Sequence, residues 1–133
     1  MTLPEVPLWF QDTAERQRHG EAGSLVFKLN CMSCHGEKAD GKGPAAAPLV
    51  DIWNQRVVPS DLRQPHLRCG DAPADVYRVL STGLNGTPMM SFESVLSPEQ
   101  RWDVVAYLGT LKLPEVPNLG AAPSSSLKLK QKP

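Results

Sequence analysis

Apolar positions recur at helical spacing in three stretches of the chain. From Gly20 to Asn30, Ala22, Leu25, Val26 and Leu29 fall on one predicted stripe, with Phe27 beside them, and the segment runs straight into Cys31. From Asp71 to Thr82, Val76, Val79 and Leu80 form a second stripe. Pro73 stands near its first turn and Gly83 stands where a left-handed stop is needed. The third runs from Ser97 to Leu113. Ser97 reads as N-cap, Pro98 as first helical residue and Gln100 as the far half of a capping box. Trp102, Val105, Ala106, Leu108 and Leu111 then make a face until Pro114 ends it. Between these segments, Gly36 to Pro59 is studded with Gly and Pro, with room for a short helix at Asp51–Arg56. No apolar/polar alternation is long enough for a strand. The predicted class is all-α, three main helices joined by long loops.

The two ends read differently from the middle. Residues 1–18 carry Pro4 and Pro7 ahead of Trp9 and Phe10 and then turn polar, as an extended Pro-rich arm would, laying its aromatics on the body. Residues 19–113 form the expected domain. Residues 114–133, rich in Pro, Ser and Lys, have little to bury and read as a mobile tail. The string Leu-Pro-Glu-Val-Pro occurs at Leu3–Pro7 and again at Leu113–Pro117, too isolated to indicate a repeat architecture.

Length and charge narrow the classes further. At 133 residues a single core is expected. Fourteen basic residues balance fourteen acidic ones, so the basic excess of a nucleic-acid binder is missing. The balance conceals a local asymmetry: Lys128, Lys130 and Lys132 cluster at the end, a solvated tail that leaves the rest slightly acidic. No run approaches the apolar length of a membrane span. Residues 84–96 and 36–49 hold too few apolar side chains to form a core of their own. Loops of that length in so small a domain need something to wrap around, and a large apolar cofactor would supply it.

Cys31-Met32-Ser33-Cys34-His35 carries the chemistry. In C-x-x-C-H the two thiols lie one turn apart, able to add across the two vinyl groups of one haem, and the adjacent imidazole reaches the iron from the same side. C-x-x-C alone also occurs in zinc and redox proteins, so the surrounding pattern decides.

That pattern resembles class I c-type cytochromes. Gly23, Phe27 and Cys31 fall at i, i+4 and i+8, matching the small and aromatic residues that let the family's first helix cross its last. Tyr107 and Leu108 resemble the partner face. Thr82 to Phe92 is similar to the loop that carries the family's distal methionine, and the likeness runs from Gly23 to about Leu111. It implies a cytochrome c fold around one covalently attached haem c, with Cys31 and Cys34 as thioethers and His35 as the proximal iron ligand. Met89 matches the distal ligand. Family members commonly have Met-Pro-x-Phe there, whereas this chain has Met89-Met90-Ser91-Phe92, which makes Met90 the alternative. Pro44 is expected to lend its carbonyl to the Nδ1–H of the proximal histidine, with Pro48 as second candidate.

The resemblance further implies a periplasmic monohaem cytochrome that passes single electrons between redox partners docking at the haem edge. It would act either as a soluble carrier or as the haem subunit of a larger oxidoreductase complex, and not as an enzyme by itself. Residues 1–18 lack the basic and apolar segments of an export signal, so a signal or anchor would be absent from this sequence.

Other polar residues admit blander readings. His19 and His66 are lesser distal-ligand candidates, more simply solvated. Cys69, the odd cysteine, reads as a small buried hydrophobe, a free thiol or half of an intermolecular bridge, the first being the commonest role. Arg56, Arg63 and Arg68 include candidate partners for a haem propionate, and Trp53 could donate its N–H there, though surface arginines and a core tryptophan are the commoner roles. The competing function is a haem-based gas sensor or peroxide-reactive protein with an open distal site. A zinc module of Cys31, Cys34 and Cys69 with His35 or His66 lacks the second close pair that such sites use. A thioredoxin-like role lacks the βαβ pattern.

Overall fold

The computed structural model describes residues 4–114. Residues 1–3 and the Pro/Ser/Lys-rich segment after residue 114, read above as a mobile tail, lie outside the described residues. Among those described there are helices and one isolated antiparallel bridge, Val50 with Arg56, and no strand. A 3-10 turn at Leu8–Gln11 precedes α1 (Thr13–Asn30), α2 (Met32–His35), α3 (Pro73–Thr82) and α4 (Pro98–Thr110). The all-α expectation holds.

Helix α1 is longer than its apolar pattern implied. It starts at Thr13, because the Asp12 carboxylate accepts the backbone N–H groups of Ala14 and Glu15 at 2.9 and 3.1 Å. The expected boundary between an arm and a domain at residues 18 and 19 therefore falls inside a continuous helix. Only the residues ahead of Asp12 form an appendage. Its aromatics do lie on the body: the Trp9 ring stacks on His19 at 3.7 Å between centroids, and Phe10 meets the edge of Trp102 at 6.1 Å.

The buried face of α1 also differs from the predicted stripe. Leu25 and Leu29 are exposed (62% and 86%), whereas Gly20, Gly23 and Phe27 are buried. The reason is the crossing with α4. A Cβ at Gly23 would collide with the Asp103 carbonyl and lie 2.9 Å from Val104 N, so the two backbones touch. Larger side chains are excluded from the face that matters most, and the leucines turn outward. Phe27 then packs on Tyr107 at 5.3 Å between ring centroids.

Helix α4 is buried over nearly its whole circumference, from Arg101 to Ala106 and at Leu108. It lies between α1 and α3 and supplies Trp102, Val104, Val105 and Leu108 to a core shared with Phe27, Cys31 and Leu80. Its start is the predicted capping box: Ser97 Oγ accepts Gln100 N–H, and Gln100 Oε1 accepts Ser97 N–H. Helix α3 begins at Pro73 and stops at Gly83 (φ +69°), as expected. Asp51–Arg56 is a turn rather than a short helix. The Asp51 carboxylate takes the N–H groups of Trp53 and Gln55, and Asn54 adopts φ +62°.

Candidate functional site

The C-x-x-C-H pentapeptide is a direct continuation of α1. Cys31 N–H still donates to Phe27 O at 2.8 Å, and the N–H groups of Cys34 and His35 both reach Cys31 O, at 3.3 and 2.9 Å. Both thiols and the imidazole therefore sit on one helical turn anchored to the α1–α4 crossing. Gly36, at φ +87°, ends that turn. Cys31 is buried, and burial, with Cys34 beside it, pushes its thiol up to about 11.

Residues 41–45 run back along the pentapeptide. Gly41 N–H donates to His35 O, Gly43 N–H to Cys34 O and Ala45 N–H to Ser33 O, at 2.7, 3.1 and 2.8 Å. A Cβ at Gly43 would collide with Ser33 O, so this close approach needs glycine.

His35 presents its Nδ1 to the carbonyl oxygen of Ser60 at 3.1 Å. This corrects the expectation for Pro44, and for Pro48 as well. The segment around Pro44 is engaged with the backbone of Ser33 to His35, and both prolines are exposed. With the proton on Nδ1, Nε2 carries the lone pair and could bind a metal. Burial lowers the His35 pKa from the ordinary imidazole value, more than the Ser60 carbonyl raises it, which favours the neutral ring.

Ser60 is itself held. Leu62 N–H donates to Ala39 O at 2.8 Å, and Arg63 forks onto Asp61 through Nε and Nη2, each at 2.9 Å. Lys112 Nζ donates to the carbonyls of Leu62 and Gln64 at 3.1 and 2.9 Å, while Leu113 N–H reaches Arg63 O at 2.7 Å. The segment just past α4 thus braces the loop behind the histidine.

The methionine-bearing loop folds against the end of α3. Leu84 N–H donates to Met89 O at 3.0 Å and Phe92 N–H to Leu80 O at 2.9 Å. A Cβ on Gly83 would lie 2.7 Å from Met89 O and from Ser91 N. Met89 is partly buried against the core, whereas Met90 is 54% exposed.

The remaining candidates lie elsewhere. His19 pairs through Nδ1 with Asp103 at 2.6 Å, and His66 with Asp71 at 2.7 Å. Arg63 is engaged by Asp61, while Arg56 and Arg68 are exposed and Trp53 is 72% exposed. No group of three His, Cys, Asp or Glu able to hold a metal ion occurs among the described residues, so Cys69 does not complete a zinc set with Cys31 and Cys34. Ser60 was missed because a backbone carbonyl carries no side-chain signature; only the fold says which one faces the ring.

Residues 20–112 match the family model described as "Cytochrome c". The chain is 30% identical over 110 residues to the Cbb3-type cytochrome c oxidase subunit FixP of Sinorhizobium medicae, covering 74% of this chain and 32% of that protein. It is 28% identical over 101 residues to the cytochrome bc1 complex cytochrome c subunit of Corynebacterium diphtheriae, covering 74% and 28%. The chain spans about a third of the length of these curated relatives. Among solved structures, a chain of the Kuenenia stuttgartiensis reducing HAO-like protein complex superimposes with a TM-score of 0.73 at 36% identity, over 83% of this chain and 50% of that one.

Proposed function

This chain belongs to the cytochrome c family, an electron-transfer protein with covalently bound haem c, and from that premise we propose that it passes single electrons in the periplasm, with Cys31 and Cys34 as thioether anchors and His35 and Met89 as axial ligands. The donor set fits the group: two thiols on one turn, an imidazole beside them whose pKa is lowered by burial, and a thioether packed against the buried cluster that includes Cys31. When bound, the haem supplies an iron that exchanges one electron between its ferrous and ferric states.

The residues divide the remaining work. Cys31 and Cys34 fix the macrocycle to the end of α1. His35 is oriented by Ser60, whose carbonyl holds the ring plane and strengthens Nε2 as a donor. Met89 would hold the iron through its thioether, a donor that favours the ferrous state and a higher potential than histidine would give. The observation that carries this reading is the single turn bearing Cys31, Cys34 and His35 with Nδ1 engaged and Nε2 available.

The partner is a redox protein meeting the haem edge near Cys31, Cys34 and the Met89 loop, where Leu84 and Met90 are exposed. A small, weak contact suits fast turnover. Because its relatives are subunits of an oxidase and of a bc1 complex, the proposed setting is a larger oxidoreductase assembly, with this chain as its haem-bearing part.

Haem-loaded protein tests the ligand set. The oxidised form should show a far-red sulfur-to-iron charge-transfer band, and a redox titration should fit one electron. Met89→Ala should keep the haem attached, abolish the band and lower the potential. Loss of the band in Met90→Ala but not in Met89→Ala would overturn the assignment, and absence of the band from the wild type would favour an open-site sensor.

A further inference from the structure

Arg101, near the start of α4, is only 5% exposed. A guanidinium at such depth is costly unless it is paired, yet Arg101 has no carboxylate partner among the described residues. Its Nε is buried without any hydrogen-bond partner among them. Packing alone does not account for the residue, since an apolar side chain of similar volume would fill the space without that cost.

What Arg101 does touch is specific. Its guanidinium carbon lies 5.0 Å from the centre of the Tyr77 ring, and that ring stacks on Trp102 at 4.3 Å. Its Nη1 donates to Ser81 Oγ in the last turn of α3. Ser81 then has its hydroxyl donated to Tyr77 O at 2.9 Å, and its carbonyl accepts the hydroxyl of Ser91. Ser91 stands just beyond Met89 and Met90. With Leu84 N–H on Met89 O ahead of it and Phe92 N–H on Leu80 O behind it, the methionine segment is pinned on both sides to the end of α3.

We infer that Arg101 is a positioning residue for the distal ligand: through Ser81 it fixes the end of α3 as the anchor to which Ser91 ties the Met89 loop. The inference rests on Met89 as axial ligand. A charge-assisted hydrogen bond is roughly twice as strong as a neutral one, and a site shielded from water keeps that strength. Loosening it raises the frequency with which the loop swings out and the sulfur leaves the iron, while the core around Phe27 and Trp102 stays assembled.

Imidazole binding to the oxidised, haem-loaded protein reads this opening, because imidazole takes the sixth position only when the methionine sulfur vacates it. Arg101→Met should tighten apparent imidazole binding about tenfold, with faster loss of the far-red band. Arg101→Lys, which keeps one charged donor, should restore part of the wild-type value. Ser91→Ala removes the exposed hydroxyl that donates to Ser81 O, should fold normally and should tighten imidazole binding several-fold; it tests the tie between the loop and α3, while Arg101→Lys tests the guanidinium should Arg101→Met not fold. Glu99→Gln, on the exposed first turn of α4, should leave binding at the wild-type value. Wild-type imidazole affinity in the Arg101 variants that fold, or in Ser91→Ala, overturns the inference. Should Met89→Ala retain the far-red band, the ligand assignment falls and this inference with it; should Met89→Ala lose the band while the other variants behave as wild type, only the inference falls.

Discussion

Gly23 and Asp103 meet backbone to backbone: there is no room for a Cβ between α1 and the Asp103 carbonyl. Gly23→Ala should therefore push the helices apart and destabilise the haem-loaded protein by about 1–3 kcal/mol, the usual range for overpacking. Gly20, one turn earlier, is the control. A Cβ there would lie 3.6 Å from Thr110 Cγ2, an ordinary contact. Gly20→Ala should be neutral or stabilising by up to about 1 kcal/mol, because it removes a flexible residue from a helix interior. Guanidinium unfolding followed by far-UV dichroism checks both.

Gly83→Ala should act on the site rather than the core. Gly83 has φ +69° and ψ −173°, a region open essentially to glycine, and its Cβ would press on Met89 O and Ser91 N. The expected outcome is a weakened sulfur-to-iron band and a lowered potential in protein that still holds haem. An unchanged oxidised spectrum would contradict it.

Trp9 and His19 stack with their planes 9° apart, and the His19 ring is hydrogen-bonded to Asp103, whose side chain is 11% exposed. His19→Ala leaves that carboxylate without its ring partner and should cost about 1–3 kcal/mol. Trp9→Ala loses the stack, and a double-mutant cycle with His19→Ala should return a coupling of about 0.5–1.5 kcal/mol. A coupling near zero would mean that the stack does not help to hold the 3-10 turn, leaving Phe10 on Trp102 and the Arg16 bond to Phe10 O.

Acid should weaken the loop behind His35. The Arg63 side chain, with the Arg63 backbone N–H and the Gln64 side-chain amide, holds the Asp61 carboxyl well below the usual carboxylate range. The folded state thus binds fewer protons than the unfolded one, and the resulting stability is present above the unfolded pKa of about 3.9 and lost as pH falls through the folded value. Thermal unfolding of haem-loaded protein should show Tm falling below about pH 4. Asp61→Asn should lower Tm at neutral pH and shrink that fall.

The elements that were legible in the sequence are those whose signals are local. Ser97, Pro98 and Gln100 define the start of α4, Gly83 the end of α3, and the spacing of Cys31, Cys34 and His35 marks the site. Helix α1 was read through its leucines, and that failed because its packing face is built from absent side chains. Hydrophobic periodicity is blind to glycine, whereas the resemblance carried by Gly23 and Phe27 pointed to the correct face. Asp12 could have extended α1, since an acidic residue ahead of Thr13 is an N-cap signal. Ser60 and Arg101 were out of reach, because each acts through partners distant in sequence that only the tertiary fold brings together.

The brace just past α4 has a consequence for tuning. Lys112 grips the Leu62 and Gln64 carbonyls, and Leu113 takes that of Arg63, immediately downstream of the Ser60 oxygen that receives the His35 ring proton. A firmly seated acceptor lends imidazole more anionic character; a slack one lends less. With His35 as iron ligand, as proposed above, the electron affinity of the centre would answer to Lys112 and Leu113, just past the end of α4.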